Sequence, residues 1–174
     1  MNGNLRDLAM FCLAIDSKLR ASDLVALAVH DVADSLVGGV ITIKGRAKVV
    51  PRKTDTEVAF EISPDTQACL KAWIVESGML DFDRLFTPLR GARRHLSTRQ
   101  YERLVKDWVQ LCGLNAMKYG THSLRRTKVA LLYKQTGNLR AAQLLLGHAS
   151  IENTARYLGI EQDDALTMSE RIKL

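Results

Sequence analysis

Residues 120–160, GTHSLRRTKVALLYKQTGNLRAAQLLLGHASIENTARYLGI, set four groups able to bind or attack an anion along a run of short helical patterns: His122, Arg125, His148 and Tyr157. An arginine offers a planar fork of donors that fits the oxygens of a phosphate. An imidazole can donate to an oxygen or move a proton, and a phenol can hydrogen-bond or, once deprotonated, act as a nucleophile. The spacing suits a phosphate held among all four. Taken singly, each residue also has an ordinary structural use. Tyr157 near a helix end can pack its ring and solvate its hydroxyl, His148 beside Gly147 can cap a helix C-terminus, Arg125 can pair with an acid, and His122 can serve the first turn of a helix.

The elements that must position these groups can be read from periodicity and caps. His122 and Arg125 stand three residues apart at the start of a helix predicted to run to about Gln135, so their side chains share a face. Asn138 can cap LRAAQLLL, and Gly147 ends that helix with His148 just beyond it. Ser150 can cap a last short helix that carries Tyr157 and closes at Gly159.

Upstream, Leu5, Leu8, Ala9 and Cys12, widened by Phe11 and Ile15, predict a core-facing helix over residues 4–15. Ser22 is expected to cap a second helix with Asp23 in its first turn, which leaves Arg20 in the turn between the two. Val58, Phe60 and Ile62 alternate against Glu57, Ala59 and Glu61, so residues 40–62 read as a small antiparallel sheet with Lys53 at a hairpin tip. Pro64 opens a helix over about 65–77. Ser97 with Gln100 predicts a capped helix with Tyr101, Leu104, Trp108 and Leu111 as its apolar stripe, ended by Gly113. The expected fold is α+β, mostly α-helical, organised as one domain over residues 1–174.

The chain has 25 Lys plus Arg against 19 Asp plus Glu, a formal charge of +6. Nearly all of the excess lies between Arg84 and Arg103, where six arginines face one acid, Glu102. This local patch favours a nucleic-acid backbone as partner, with Arg90, Arg93, Arg94 and Arg99 as phosphate contacts. A solvated basic loop is the plain alternative. Cys12, Cys69 and Cys112 are scattered in apolar stretches and read as reduced thiols of an intracellular protein. The N-terminal residues carry charge, and no segment approaches the ~20 apolar residues of a membrane span. A soluble cytoplasmic protein is therefore expected.

Several ordered motifs together resemble the catalytic domain of the tyrosine recombinase or phage integrase family, over almost the whole chain. LAIDSKLRASDLVAL resembles the family's first arginine box and gives Arg20. THSLRR resembles its HxxR box and gives His122 and Arg125. LLLGHASIENTARYLGI is similar to the box in which the LGH histidine precedes a nucleophilic tyrosine by nine residues, giving His148 and Tyr157. PRKTDTEV resembles the family's lysine-bearing hairpin and gives Lys53, ahead of Lys48 and Lys44 on the same sheet. Asp23, a shorter carboxylate, stands where many relatives have glutamate. No stretch corresponds to the N-terminal helical domain with which many integrases close around DNA.

The resemblance implies a recombinase that cuts double-stranded DNA through a 3′-phosphotyrosyl intermediate. Arg20 and Arg125 would hold the non-bridging oxygens, His122 would assist proton transfer, His148 would donate to the phosphate, Lys53 would protonate the leaving 5′ oxygen and Tyr157 would attack. Because the covalent bond keeps the energy of the broken linkage, neither ATP nor a metal is called for. The absence of a Walker loop and of a carboxylate cluster in the sequence agrees with this. Ala165, Leu166, Met168 and Ile172 lie on an amphipathic C-terminal helix whose plain reading is packing within its own chain; the resemblance further implies a homo-oligomer on DNA joined through that helix, and accessory DNA-binding proteins. The competing readings are a DNA-binding accessory or regulatory protein on the same scaffold, with little turnover, and a topoisomerase using the same chemistry.

Overall fold

The computed structural model describes residues 4–37, 40–51, 53, 57–88, 94–160, 166, 169, 170 and 172. Chain contacts divide it into two compact units, Met1–Lys128 and Val129–Leu174. The architecture is mostly helical with small antiparallel ladders.

In the first unit, Asn4 caps α1 (Leu5–Ser17), its side-chain oxygen accepting from the Asp7 amide. The helix stops at Lys18, which adopts the left-handed conformation (φ 56°) and is the one non-glycine residue with positive φ among those described. A side chain there costs about 1 kcal/mol. Extended Arg20 then leads into α2 (Ala21–Ala26), so Arg20 occupies the cap position and Ser22 lies inside the first turn. The expected Ser22 cap is thus displaced by two residues, because the tight turn at Lys18 brings the chain into helical geometry early. A one-turn helix α3 (Val29–Val32) follows.

The sheet expected over 40–62 is two separate ladders and begins earlier. Strand β1 (Ala33–Val37) pairs antiparallel with β2 (Val40–Ile43), and β3 (Arg46–Val49) with β4 (Val58–Glu61), placing Lys48 opposite Ala59 and Arg46 opposite Glu61. Phe60 and Ile62 are buried as the alternation predicts. Ser63 caps α4 (Pro64–Glu76). Ser97 caps α5 (Thr98–Leu111) in a reciprocal box, the Ser97 amide donating to Gln100 Oε1 at 2.9 Å and the Gln100 amide to Ser97 Oγ at 3.2 Å.

α1 packs on α4 and β4, and α2 on α5. The core gathers Met10, Leu13, Leu24, Leu70, Ile74 and Phe86, with Tyr101 and Trp108 from α5, each fully buried Leu or Phe stabilising by about 2 kcal/mol. The buried face of α1 holds Ala9, Met10, Leu13 and Ala14, whereas the expected Leu5 and Cys12 sit at its margin. On α5 the predicted Leu111 is exposed and Val105 takes the buried place. Leu124 packs against this core and so seats the first turn of α6 (Thr121–Thr136).

The second unit is built on a smaller cluster, Val129, Ala142 and Leu146, against which Leu145, Tyr157 and Leu158 pack. Asn138 caps α7 (Leu139–Leu146) through the Ala141 amide, and Ser150 caps α8 (Ile151–Leu158) through the Asn153 amide. Gly147 and Gly159 end these helices at φ 62° and 71°, a conformation that glycine adopts without a Cβ penalty. α7 and α8 pack together. Of the expected C-terminal helix, Leu166, Ser169 and Glu170 are helical and Leu166 and Ile172 exposed, while Ala165 and Met168 lie outside the described residues. Among the described residues no helix is long and apolar enough to cross a membrane.

Candidate active site

Arg20, Lys53, His122 and Arg125 belong to the first unit, His148 and Tyr157 to the second. Arg20 is half-buried, and its carbonyl accepts from the amides of Asp23 (3.0 Å) and Leu24 (2.9 Å), which anchors the turn to α2. Asp23 is buried in the first turn of that helix. On α6 the two predicted residues stand one turn apart, His122 exposed and Arg125 only 6 % exposed.

Three lysines of the sheet region differ in what holds them. Lys48 on β3 forms an exposed ion pair with Glu57 at 2.8 Å, which raises its pKa. Lys44, between β2 and β3, donates from Nζ to the neutral His30 carbonyl at 2.8 Å. Lys53 lies exposed in the connection between β3 and β4, and no ion pair joins it to a described residue.

In the second unit His148 and Tyr157 meet directly. Their ring centroids are 5.2 Å apart and their planes at 90°, an edge-to-face contact. His148 is held from both short helices: its backbone amide donates to the Gln143 carbonyl at 3.2 Å, the buried Gln143 side-chain amide donates to its carbonyl at 3.0 Å, and its Nδ1 lies 3.2 Å from Thr154 Oγ1. Thr154 is fully buried, and its hydroxyl also reaches the Ser150 carbonyl at 3.3 Å. Arg140 in turn donates to Gln143 Oε1 at 2.7 Å. Sequence reasoning missed Gln143 and Thr154. Their signal was a polar side chain on the inner face of each short helix, beside residues that pack as core.

A second group also escaped it. Asp16 at the end of α1 accepts from Lys128 Nζ at 2.5 Å, from Ser63 N at 2.9 Å and from the Ser63 and Thr66 hydroxyls at 2.6 Å each. Burial alone would raise the Asp16 pKa, but these donors, Lys128 foremost, outweigh it and hold the carboxyl at about 2.

The expected basic patch is partly visible. Arg94 and Arg99 are exposed, Arg90 and Arg93 lie outside the described residues, and Arg84 donates to the Ala26 carbonyl at 2.6 Å. No group of three or more His, Cys, Asp or Glu able to hold a metal occurs among the described residues.

The phage integrase family model matches residues 2–163. The chain is 30% identical over 165 residues to the probable integrase/recombinase YoeC of Bacillus subtilis (strain 168), covering 94% of this chain and 82% of that protein. It is 32% identical over 174 residues to the tyrosine recombinase XerD of Xanthomonas campestris pv. campestris, covering 96% of this chain and 52% of that one. It thus spans about half the length of that XerD, and likewise of a XerC from Chromobacterium violaceum, covered to 48%. Among solved structures, XerA recombinase superposes with a TM-score of 0.77 at 23% identity over 98% of this chain and 60% of that one. XerH bound to its difH substrate superposes with a TM-score of 0.73 at 21% identity, over 96% and 46%. The chain belongs to the phage integrase family.

Proposed function

We propose that this chain is a tyrosine-type DNA recombinase that cleaves and rejoins strands through a covalent 3′-phosphotyrosine. Tyr157 Oη attacks the scissile phosphorus, the bond to the 5′ oxygen breaks, and a lysine of the sheet region gives its proton to that oxygen. Arg20 and Arg125 bind the non-bridging oxygens and offset the charge that develops in the transition state. His122 assists proton transfer, and His148 donates to a phosphate oxygen. Lys53 ranks first as the general acid, with Lys44 and Lys48 as comparisons, because the ammonium of Lys48 is already paired with Glu57. Arg90, Arg93, Arg94 and Arg99 hold the DNA backbone.

The observation that carries this reading is the match of the family model to residues 2–163, a span that contains all six of these site residues in order. It is further supported by the edge-to-face contact of His148 with Tyr157. The reaction needs neither ATP nor a metal, since the phosphotyrosyl bond conserves the energy of the broken linkage. Double-stranded DNA is the substrate, in the cytoplasm, and a homo-oligomer assembles on it through the tail that exposes Leu166 and Ile172. Accessory DNA-binding proteins complete the assembly. Incubation with a nicked duplex of native flanking DNA tests the reading: a denaturant-resistant protein–DNA adduct is expected. DNA binding without any adduct would favour the accessory reading instead.

A further inference from the structure

Two lysines not used in the proposed chemistry flank its two arginines. Lys18 lies two residues before Arg20, and Lys128 three residues after Arg125. Both reach one carboxylate on β4. Lys18 Nζ donates to Glu61 Oε1 and Oε2 at 2.8 Å each, and Lys128 Nζ lies 2.8 Å from Glu61 Oε1 while also holding Asp16. All four residues belong to the first unit.

The Lys18 side chain is completely buried, on a backbone in the left-handed conformation. Burying an ammonium is costly, and apolar side chains of similar volume stabilise at least as well as a buried ion pair. Stability alone therefore does not account for this arrangement. What a charged bridge adds is a fixed geometry among the elements that it joins, here the end of α1, β4 and the first half of α6.

Resting on the proposed clamp role of Arg20 and Arg125, the geometry points to Glu61 as a positioning residue that sets the placement of both arginines. It acts through Lys18 on the turn that carries Arg20 and through Lys128 on the helix that carries Arg125. A clamp on non-bridging oxygens tolerates little error, since a misplacement of ~1 Å can cost about a hundredfold in rate. The paired charges also explain how a lysine can stand so close to the arginine turn without repelling it: Glu61 neutralises one ammonium directly and shares the second with Asp16.

The test compares wild type with Glu61→Gln, Lys128→Met and Lys128→Arg in single-turnover cleavage of a nicked duplex at saturating DNA. The Lys128 side chain is 37% exposed, and Lys128→Met leaves Lys18 paired with Glu61 and the buried Asp16 carboxylate still held by Ser63 and Thr66, so it keeps the measurement open if Glu61→Gln fails to fold. Glu61→Gln and Lys128→Met should cleave about tenfold or more slowly with DNA affinity nearly unchanged, and Lys128→Arg should recover most of the rate. On a duplex whose scissile phosphate is an uncharged methylphosphonate, which asks less of a cationic clamp, the gap to wild type should narrow. Folded variants that cleave at the wild-type rate, or a gap equally wide on both substrates, would overturn the positioning role alone. A wild type that forms no adduct would overturn the recombinase reading and this inference with it.

Discussion

His148 Nδ1 lies 3.2 Å from the hydroxyl of Thr154, a residue on the same short helix as Tyr157, against whose ring the imidazole stands edge-on. One buried hydroxyl thus orients the ring proposed to meet the phosphate. Thr154→Val keeps the shape and deletes that partner. It should lower stability by about 1 kcal/mol and slow adduct formation, whereas Thr154→Ser should retain the rate. Denaturant unfolding and single-turnover cleavage of both variants check this; a Val variant that cleaves like wild type would show that the contact only packs the helix.

Identification of the general acid has a chemical test. An alkoxide departs poorly without a proton, but a 5′-bridging sulfur leaves as a thiolate that needs none. Lys53→Ala is expected to be nearly inactive on ordinary DNA and close to wild type on the phosphorothiolate, while Arg125→Ala stays inactive on both. Lys44→Ala and Lys48→Ala run beside it, and rescue of either in place of Lys53→Ala would transfer the role to that lysine.

The exposed arginines at the start of α5 and before it are expected to contact phosphates without reading bases. Each neutralised phosphate contributes ~0.9 to the slope of log affinity against log salt. Replacing Arg94 and Arg99 together by alanine should flatten that slope by about 1.8. Titrations at several salt concentrations measure it, and an unchanged slope would mean that these side chains face away from DNA.

Acid should loosen the first unit through Asp16. Its folded pKa of about 2 lies below the ordinary value of 3.8, so the native state binds its proton less readily than the unfolded chain. The resulting stabilisation, about 2 kcal/mol, is present above pH ~4 and is lost as the pH falls towards 2. Glu61, which burial would raise but Lys128 and Lys18 draw down, adds to the same trend. Asp16→Asn should be less stable than wild type at neutral pH, and the difference should shrink below pH ~3. A difference that is constant with pH would contradict the ionised network.

Much of this was legible in the chain. Asn138, Ser150 and the Ser97–Gln100 box announced their helices because a cap is a local hydrogen bond written in adjacent residues. The family was legible in the ordered motifs around Arg20, His122, Arg125, His148 and Tyr157, and the match over residues 2–163 bears that resemblance out. The buried face of α1 was not legible: apolar residues surround most of that helix, so only its packing on α4 and β4 decides that Met10 and Leu13 go in. Nor was the pairing of Lys18 with Glu61, 43 residues away, since Glu61 alternates with apolar neighbours as a solvent-facing residue would. Arg84 shows the converse, a member of the basic run whose guanidinium binds a carbonyl of its own fold.

The central claim is that Tyr157 is the nucleophile. The decisive measurement is capture of the covalent adduct on a nicked duplex by wild type and by Tyr157→Phe, followed by proteolysis and mass spectrometry of the nucleotide-bearing peptide. Wild type should yield an adduct with the nucleotide on Tyr157, and Tyr157→Phe should bind DNA and yield none. An adduct that persists in the Phe variant, or a nucleotide carried by any other residue, would contradict it.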